Sequence, residues 1–186
     1  MTRLFETVTD LRAGADVIAR RRFGMIEAAG GQFERIRLRP LPKLVSLPEI
    51  LTLGRYLHSR LAVDRCRIFY DQPRCYPNYL AVKYIISGRG TSFRTIRRTV
   101  EALDEVARIK KTDALLCELV TWRISREMMT RWGWEPHCNS RWRRHYIKRF
   151  YGSYPPRPQW LSGQEMISSD CLSGEREPVD VGVEVF

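Results

Sequence analysis

Apolar positions along the second half of the chain fall into two alternating periods. YLAVKYIIS, from Tyr79 to Ser87, is β-branched, aromatic and nearly continuous, which predicts a buried strand. From about Ser92 to Lys110 the apolar residues Ile96, Val100, Leu103 and Ala107 recur at helical spacing. Arg97, Arg98, Glu101, Asp104, Glu105 and Arg108 fall on the outer face of that helix. ALLCELVT, Ala114 to Thr121, predicts a second buried strand. A short helix follows from about Ile124 to Arg131 and breaks at Gly133; RHYIKRFY, Arg144 to Tyr151, alternates as a last strand. A strand, helix, strand order implies parallel pairing with a right-handed crossover.

The first half has a different rhythm. Leu4, Val8, Leu11, Ala15 and Ile18 make one helical stripe, with Arg20–Arg22 and then Gly24 as a stop. FGMIEAAGGQFERIRLRP predicts a hairpin about Gly30-Gly31, and Arg35, Arg37 and Arg39 give its second strand a wet, basic face. Pro40 and Pro42 end that strand. Ile50, Leu53, Leu57 and Leu61 predict a helix over Leu47–Leu61, with Pro48 in its first turn. Cys66–Tyr70 predicts a short strand. The expected fold is therefore α/β: a mixed twisted sheet with helices on both faces, in one domain over residues 1–160. Residues 161–186 are expected to be an acidic, disordered tail entered through Pro155, Pro156 and Pro158.

Charge sharpens this division. The 186 residues carry a formal +11, yet Glu165 to Phe186 hold six acids and one arginine, so the body carries +16. Such a surface favours anionic partners such as nucleic acid or phosphate-rich cofactors, or it is simply solvated. Five cysteines with no CxxC pair argue against a disulfide framework and a structural zinc, and point to a reducing, cytoplasmic setting. No run of 18 apolar residues exists and MTRLFETVTD is not signal-like, so no membrane association is expected.

Chemistry concentrates where the strongest strand meets the long helix. Gly88, Arg89, Gly90, Thr91 and Ser92 lie there. The first amides of a helix lack internal acceptors, glycines admit an anion to the backbone, Arg89 can clamp it, and Thr91 or Ser92 can cap. The spacing is neither that of a P-loop nor that of a dinucleotide fingerprint.

This stretch resembles the GNAT superfamily of N-acetyltransferases, in which a Q/R-x-x-G-x-G/A loop between a strand and a helix holds the pyrophosphate of acyl-CoA. Here it is Ser87-Gly88-Arg89-Gly90-Thr91-Ser92: Gly90 matches, while Ser87 and Ser92 replace the outer positions. Downstream, Arg131, Gly133, Trp134 and Glu135 match a Y-x-K-x-G-F-E-like pattern, with Met129 where the family often has its proton-donating Tyr. The likeness spans residues 79–151. It implies an acyl-CoA, such as acetyl-CoA, as donor and an amine as acceptor. It also implies a cofactor site formed by Gly88, Arg89, Gly90, Thr91, Ser92 and Phe93, with Ile85, Ile86 and Ser87 presenting backbone to the pantetheine arm.

Acyl transfer to an amine needs a base and a proton donor. Glu118, inside LLCELV, is the candidate base or else the partner of an arginine; Tyr146 is the candidate donor, with Tyr151 beside it, or else a packing residue. Cys117 reads as core. His137, Cys138 and His145 lack metal spacing. Trp122, Trp132, Trp134 and Trp142 interleave with Arg123, Arg126, Arg131, Arg141, Arg143 and Arg144. That region either stacks on single-stranded nucleic acid or packs on itself, which gives a second reading: an inactive scaffold binding an anionic partner. Oligomeric state is not legible.

Overall fold

The computed structural model describes residues 5–41, 64–88, 90–119, 124–138 and 144–161. Strand β5 (Tyr79–Ser87) has the expected limits. Helix α2 (Phe93–Ile109) begins at an N-cap serine, Ser92, whose hydroxyl accepts the Thr95 amide at 3.2 Å. Strand β6 (Ala114–Leu119) follows, then the short helix α3 (Arg126–Arg131), capped by Ser125, strand β7 (Glu135–Pro136) and strand β8 (Arg144–Arg149). Upstream lie β1 (Glu6–Val8), α1 (Ala15–Arg20), β2 (Phe23–Ala29), β3 (Gln32–Arg39) and β4 (Arg65–Asp71).

These strands form one open, mixed, eight-stranded sheet in the order β1-β3-β2-β4-β5-β6-β8-β7. Only β5 and β6 pair in parallel, joined by the α2 crossover; the other neighbours are antiparallel. One sheet face presents Ile26, Ile36, Ile68, Leu80, Val82, Leu115, Cys117 and Leu119 to Ile96, Val100, Leu103 and Val106 of α2, and this is the core. Alternation along the strands makes the opposite face the place for charge. The α/β class and mixed sheet match the sequence expectation. Among the described residues α1, α2 and α3 all pack on one face; the helix expected over Leu47–Leu61 lies outside them, as do the acidic residues from 162 onward.

Three expectations change. The N-terminal stripe is not one helix. Residues Glu6–Val8 pair with β3, Asp10 accepts the Arg12 and Ala13 amides in a turn, and α1 starts only at Ala15. A Cβ on Gly14 would lie 2.2 Å from Val8 Cγ1, so the turn folds tightly back on the strand. Gly24 is no helix stop but a β2 residue; its missing side chain makes room for the Tyr70 ring. Glu105, expected on the wet side of α2, is 2% exposed. The segment after β8 explains this, because it crosses α2 instead of leaving. Tyr154 donates to the Thr112 carbonyl, Arg108 and Arg157 pair with Glu105, and the Trp160 indole donates to Glu101 at 2.9 Å. Trp160 also stacks on Phe33 and under Arg98, so the folded body runs through Leu161.

Candidate functional site

The cleft begins with a ladder that stops early. Among the described residues β5 and β6 pair from Tyr79–Ala114 to Val82–Cys117, although β5 runs on to Ser87 and β6 to Leu119. At that point β5 carries a bulge: Phe69 opposes Tyr84 while Tyr70 opposes Val82, so Lys83 is an extra residue against β4. A bulge bends its strand and increases local twist, which turns the end of β5 away from β6. The two parallel strands therefore splay toward the start of α2.

Each side of the splay holds a cavity. On the α2 side, Ile85, Ser87, Leu119, Ile124, Met129 and Trp132 are among the residues that enclose an apolar space of about 30 Å³. Phe93, 44% exposed, lies against Trp132 with ring centroids 5.6 Å apart, where the start of α2 meets the end of α3. The second cavity, about 220 Å³, is mixed: Ala81, Val82 and Leu116 line it together with Lys83, Glu118, His137, His145 and Tyr146. Glu118 and His145 are direct cross-strand partners on the sheet face away from α2. The His137 amide donates to the His145 carbonyl at 2.8 Å, which fixes the strand carrying one imidazole beside the other.

The expected residues are distributed as follows. Glu118 and Tyr146 line the same 220 Å³ cavity, but Tyr146 opposes Cys117, is 3% exposed and sits in the core cluster. Burial pushes the Cys117 thiol up to about 12, so it stays protonated at neutral pH. Met129 is buried in the core. Tyr151 is exposed beyond the last strand. Ile85 and Ser87 line the apolar cavity; Ile86 opposes Arg67 on the other face. Of the aromatic–basic region, Trp134 is buried and cannot stack on a ligand, and Trp132 contacts Phe93. Trp122, Arg123, Arg141, Trp142 and Arg143 lie outside the described residues, as does Arg89 of the loop.

The loop differs from an empty cradle. The Gly88 amide donates to the Arg65 carbonyl, the Thr91 amide to the Gly88 carbonyl, and the Ser92 amide to the Asp64 carboxylate at 2.7 Å. Thr91 is fully buried and its hydroxyl points inward to the Gly88 and Arg65 carbonyls, so Ser92 alone caps. Gly90 takes φ 79°, and among the described residues the Gly90 and Phe93 amides have no acceptor. Burial pushes the Asp64 carboxyl up, but the Thr95 hydroxyl and the amide and hydroxyl of Ser92 outweigh it and leave the pKa below 3.8. A carboxylate therefore already stands at the positive end of α2.

Sequence reasoning missed Asp64, Lys83 and His145. His145 carried a signal, since it alternates with Tyr146 in RHYIKR, but only the β6–β8 register sets it opposite Glu118. Among the described residues no group of three His, Cys, Asp or Glu is placed to hold a metal, and no helix is long and apolar enough to cross a membrane. Searched against known proteins, the chain matches no family model, no curated protein and no solved structure.

Proposed function

We propose that the chain is an acyl-CoA-dependent acyltransferase acting on an amine. The observation that carries this reading is the splay of β5 from β6 beyond Val82 and Cys117, with a cavity of about 220 Å³ at its root that Glu118 and His145 help to line. A strand edge left without its ladder can bind an extended, amide-bearing arm as it would bind another strand. Backbone at Ile85 and Ile86 lies along that edge, and the Gly90 and Phe93 amides stand where a diphosphate would reach the helix start. The thioester carbonyl then reaches the cavity lined by Glu118 and His145. There the amine nitrogen attacks, the N–C bond forms and the C–S bond breaks. Glu118, with His145 opposite it, takes the proton that the amine loses, and that proton returns to the departing thiolate. Met129 takes no part in that return, since a thioether cannot donate.

The Asp64–Ser92 contact favours a second reading, in which the same scaffold no longer takes a diphosphate and serves as an anion-binding protein. One measurement separates the two. At about 100-fold excess over Kd a ligand adds about 2.7 kcal/mol to the native state, which for this chain length raises Tm by roughly 5–10 °C. Acetyl-CoA at millimolar concentration is expected to do this, and Gly90→Glu to abolish it while leaving the unliganded Tm within a few degrees. No shift in the parent protein rejects the acyltransferase reading. Given binding, loss of acetyl transfer to an amine panel in Glu118→Gln supports the assigned base, and full activity there removes it.

A further inference from the structure

Away from the cleft, on the sheet face opposite α2, one cross-strand row runs Arg35, Glu27, Arg67 through β3, β2 and β4. Glu27 is fully buried. Its two oxygens take one guanidinium each: Arg35 Nε at 2.6 Å on Oε2 and Arg67 Nε at 2.6 Å on Oε1. Arg37 Nε stands 3.6 Å from Oε2 and Arg65 Nη1 4.0 Å from Oε1. A bulge opposite Glu27–Ala28 turns Glu34 onto Arg65 at 3.1 Å. Four guanidinium groups thus share two carboxylates, an excess of two positive charges in one patch.

The manner of anchoring matters more than the count. Glu27 engages Arg35 and Arg67 through Nε and draws in Arg37 the same way. The terminal nitrogens of all three are left without an acceptor among the described residues. Their side chains are 33%, 27% and 47% exposed, so the groups reach solvent. A guanidinium fork matches the geometry of phosphate oxygens. Holding it in place beforehand removes much of the entropy lost on binding.

We propose that Arg35, Arg37 and Arg67, templated by Glu27, form a receptor for a phosphate monoester. The excess of two positive charges matches the roughly −1.5 to −2 of such a group at pH 7 better than it matches a carboxylate or a single phosphodiester. The group is carried either by a small nucleotide or by the 5′ end of a nucleic acid, and the chemistry of recognition is the same. The patch shares the sheet face of the Glu118–His145 cavity, but it is built on β3, β2 and β4 and uses no residue of that cavity, so it does not rest on the acyltransferase reading.

The test titrates the full chain at constant ionic strength with inorganic phosphate, a nucleoside 5′-monophosphate, and one oligonucleotide with and without a 5′-phosphate. Saturable binding of phosphate or of the monophosphate is expected. It should fall at least tenfold in Arg37→Ala, which removes the most exposed of the three and spares both short bonds to Glu27. Arg35→Lys keeps the charge but lacks the fork and should lose affinity similarly. A 5′-phosphorylated oligonucleotide that binds tighter than both the monophosphate and its unphosphorylated twin assigns the source to a nucleic-acid end; parity with the monophosphate assigns it to a small ligand. A response that does not saturate, or that Arg37→Ala and Arg35→Lys leave unchanged while both variants stay folded, overturns the proposal.

Discussion

Asp64→Asn should push stability and ligand binding in opposite directions. Asp64 holds φ 63°, a left-handed conformation that Asn also tolerates, so the backbone is kept. Asparagine can still accept the Ser92 amide, but as a neutral group. The loss is the difference between a charged and a neutral acceptor, about 1 kcal/mol, plus a charge–dipole term of about 0.3–1 kcal/mol at the start of α2. For a chain of this length that lowers Tm by roughly 3–8 °C. Linkage gives the sign with pH. The folded pKa of Asp64 is depressed below 3.8, so its contribution is fully present above that value and fades as pH falls through the folded pKa. Urea denaturation of parent and variant should therefore converge in acid.

Binding moves the other way. A diphosphate at the Gly90 and Phe93 amides would face the carboxylate held by the Ser92 amide, and two like charges on the order of 5 Å apart repel by about 3 kcal/mol at an effective dielectric near 20. Screening by salt reduces this, leaving a gain of roughly tenfold in acetyl-CoA affinity for Asp64→Asn. Calorimetric titration at pH 7 reads it. A variant that loses stability but binds acetyl-CoA no tighter would show that the diphosphate does not approach this helix end. A variant with unchanged stability at pH 7 would refute the reasoning about the Ser92 bond itself.

Two further outcomes follow from packing and charge. Gly24→Ala would place its Cβ 2.4 Å from Tyr70 Oη, and Tyr70 is 3% exposed, so the ring must shift within the core; overpacking of this kind costs about 1–3 kcal/mol, readable as a fall in the urea midpoint without a change in slope. Burial pushes the Glu27 carboxyl up, but the hydrogen bonds and charges of Arg35 and Arg67 outweigh this and hold it below 4.5. Its contribution is thus present above 4.5 and lost as pH falls through the folded value. Glu27→Gln should destabilise by about 2–3 kcal/mol at pH 7, below the full figure for a buried pair because its partners are partly exposed, and should flatten the acid limb of stability against pH; an unchanged limb would show that Glu27 is not the titrating group.

Local pattern was decisive where one element makes its own case. β5 is apolar on almost every position and α2 has both a clean period and a capping serine, so their limits are nearly those expected. The N-terminal stripe misled because Val8 and Leu11 are buried for different reasons, one in a strand and one in the turn after it. Glu105 and Trp160 show the same limit. Nothing in the period of α2 announces that residues 154–161 will cover its outer side. The loop at Gly88–Ser92 was legible as the place where anion chemistry would gather, but its occupancy was not. The carboxylate that reaches the Ser92 amide comes from Asp64, 28 residues earlier, through the β4–β5 pairing.

The same logic separates the arginines that build the fold from those that face outward. Arg108 and Arg157 neutralise Glu105, Arg98 bridges the Gly31 carbonyl and Glu101, and Arg149 pairs with Glu135; each is spent on joining elements. Their charge says little about partners, although it enters the formal +11 in full. On β3 and β4 the arrangement is reversed: one buried carboxylate serves several guanidinium groups, and the surplus points away from the core. The cleft between β5 and β6, by contrast, has its own acid already at the helix end. An anionic ligand entering there must displace or neutralise Asp64, whereas one entering the arginine patch meets, among the described residues, no such competitor for the terminal nitrogens of Arg35, Arg37 and Arg67. Weak acetyl-CoA binding alongside strong phosphate binding would follow from that difference alone, with no change in fold.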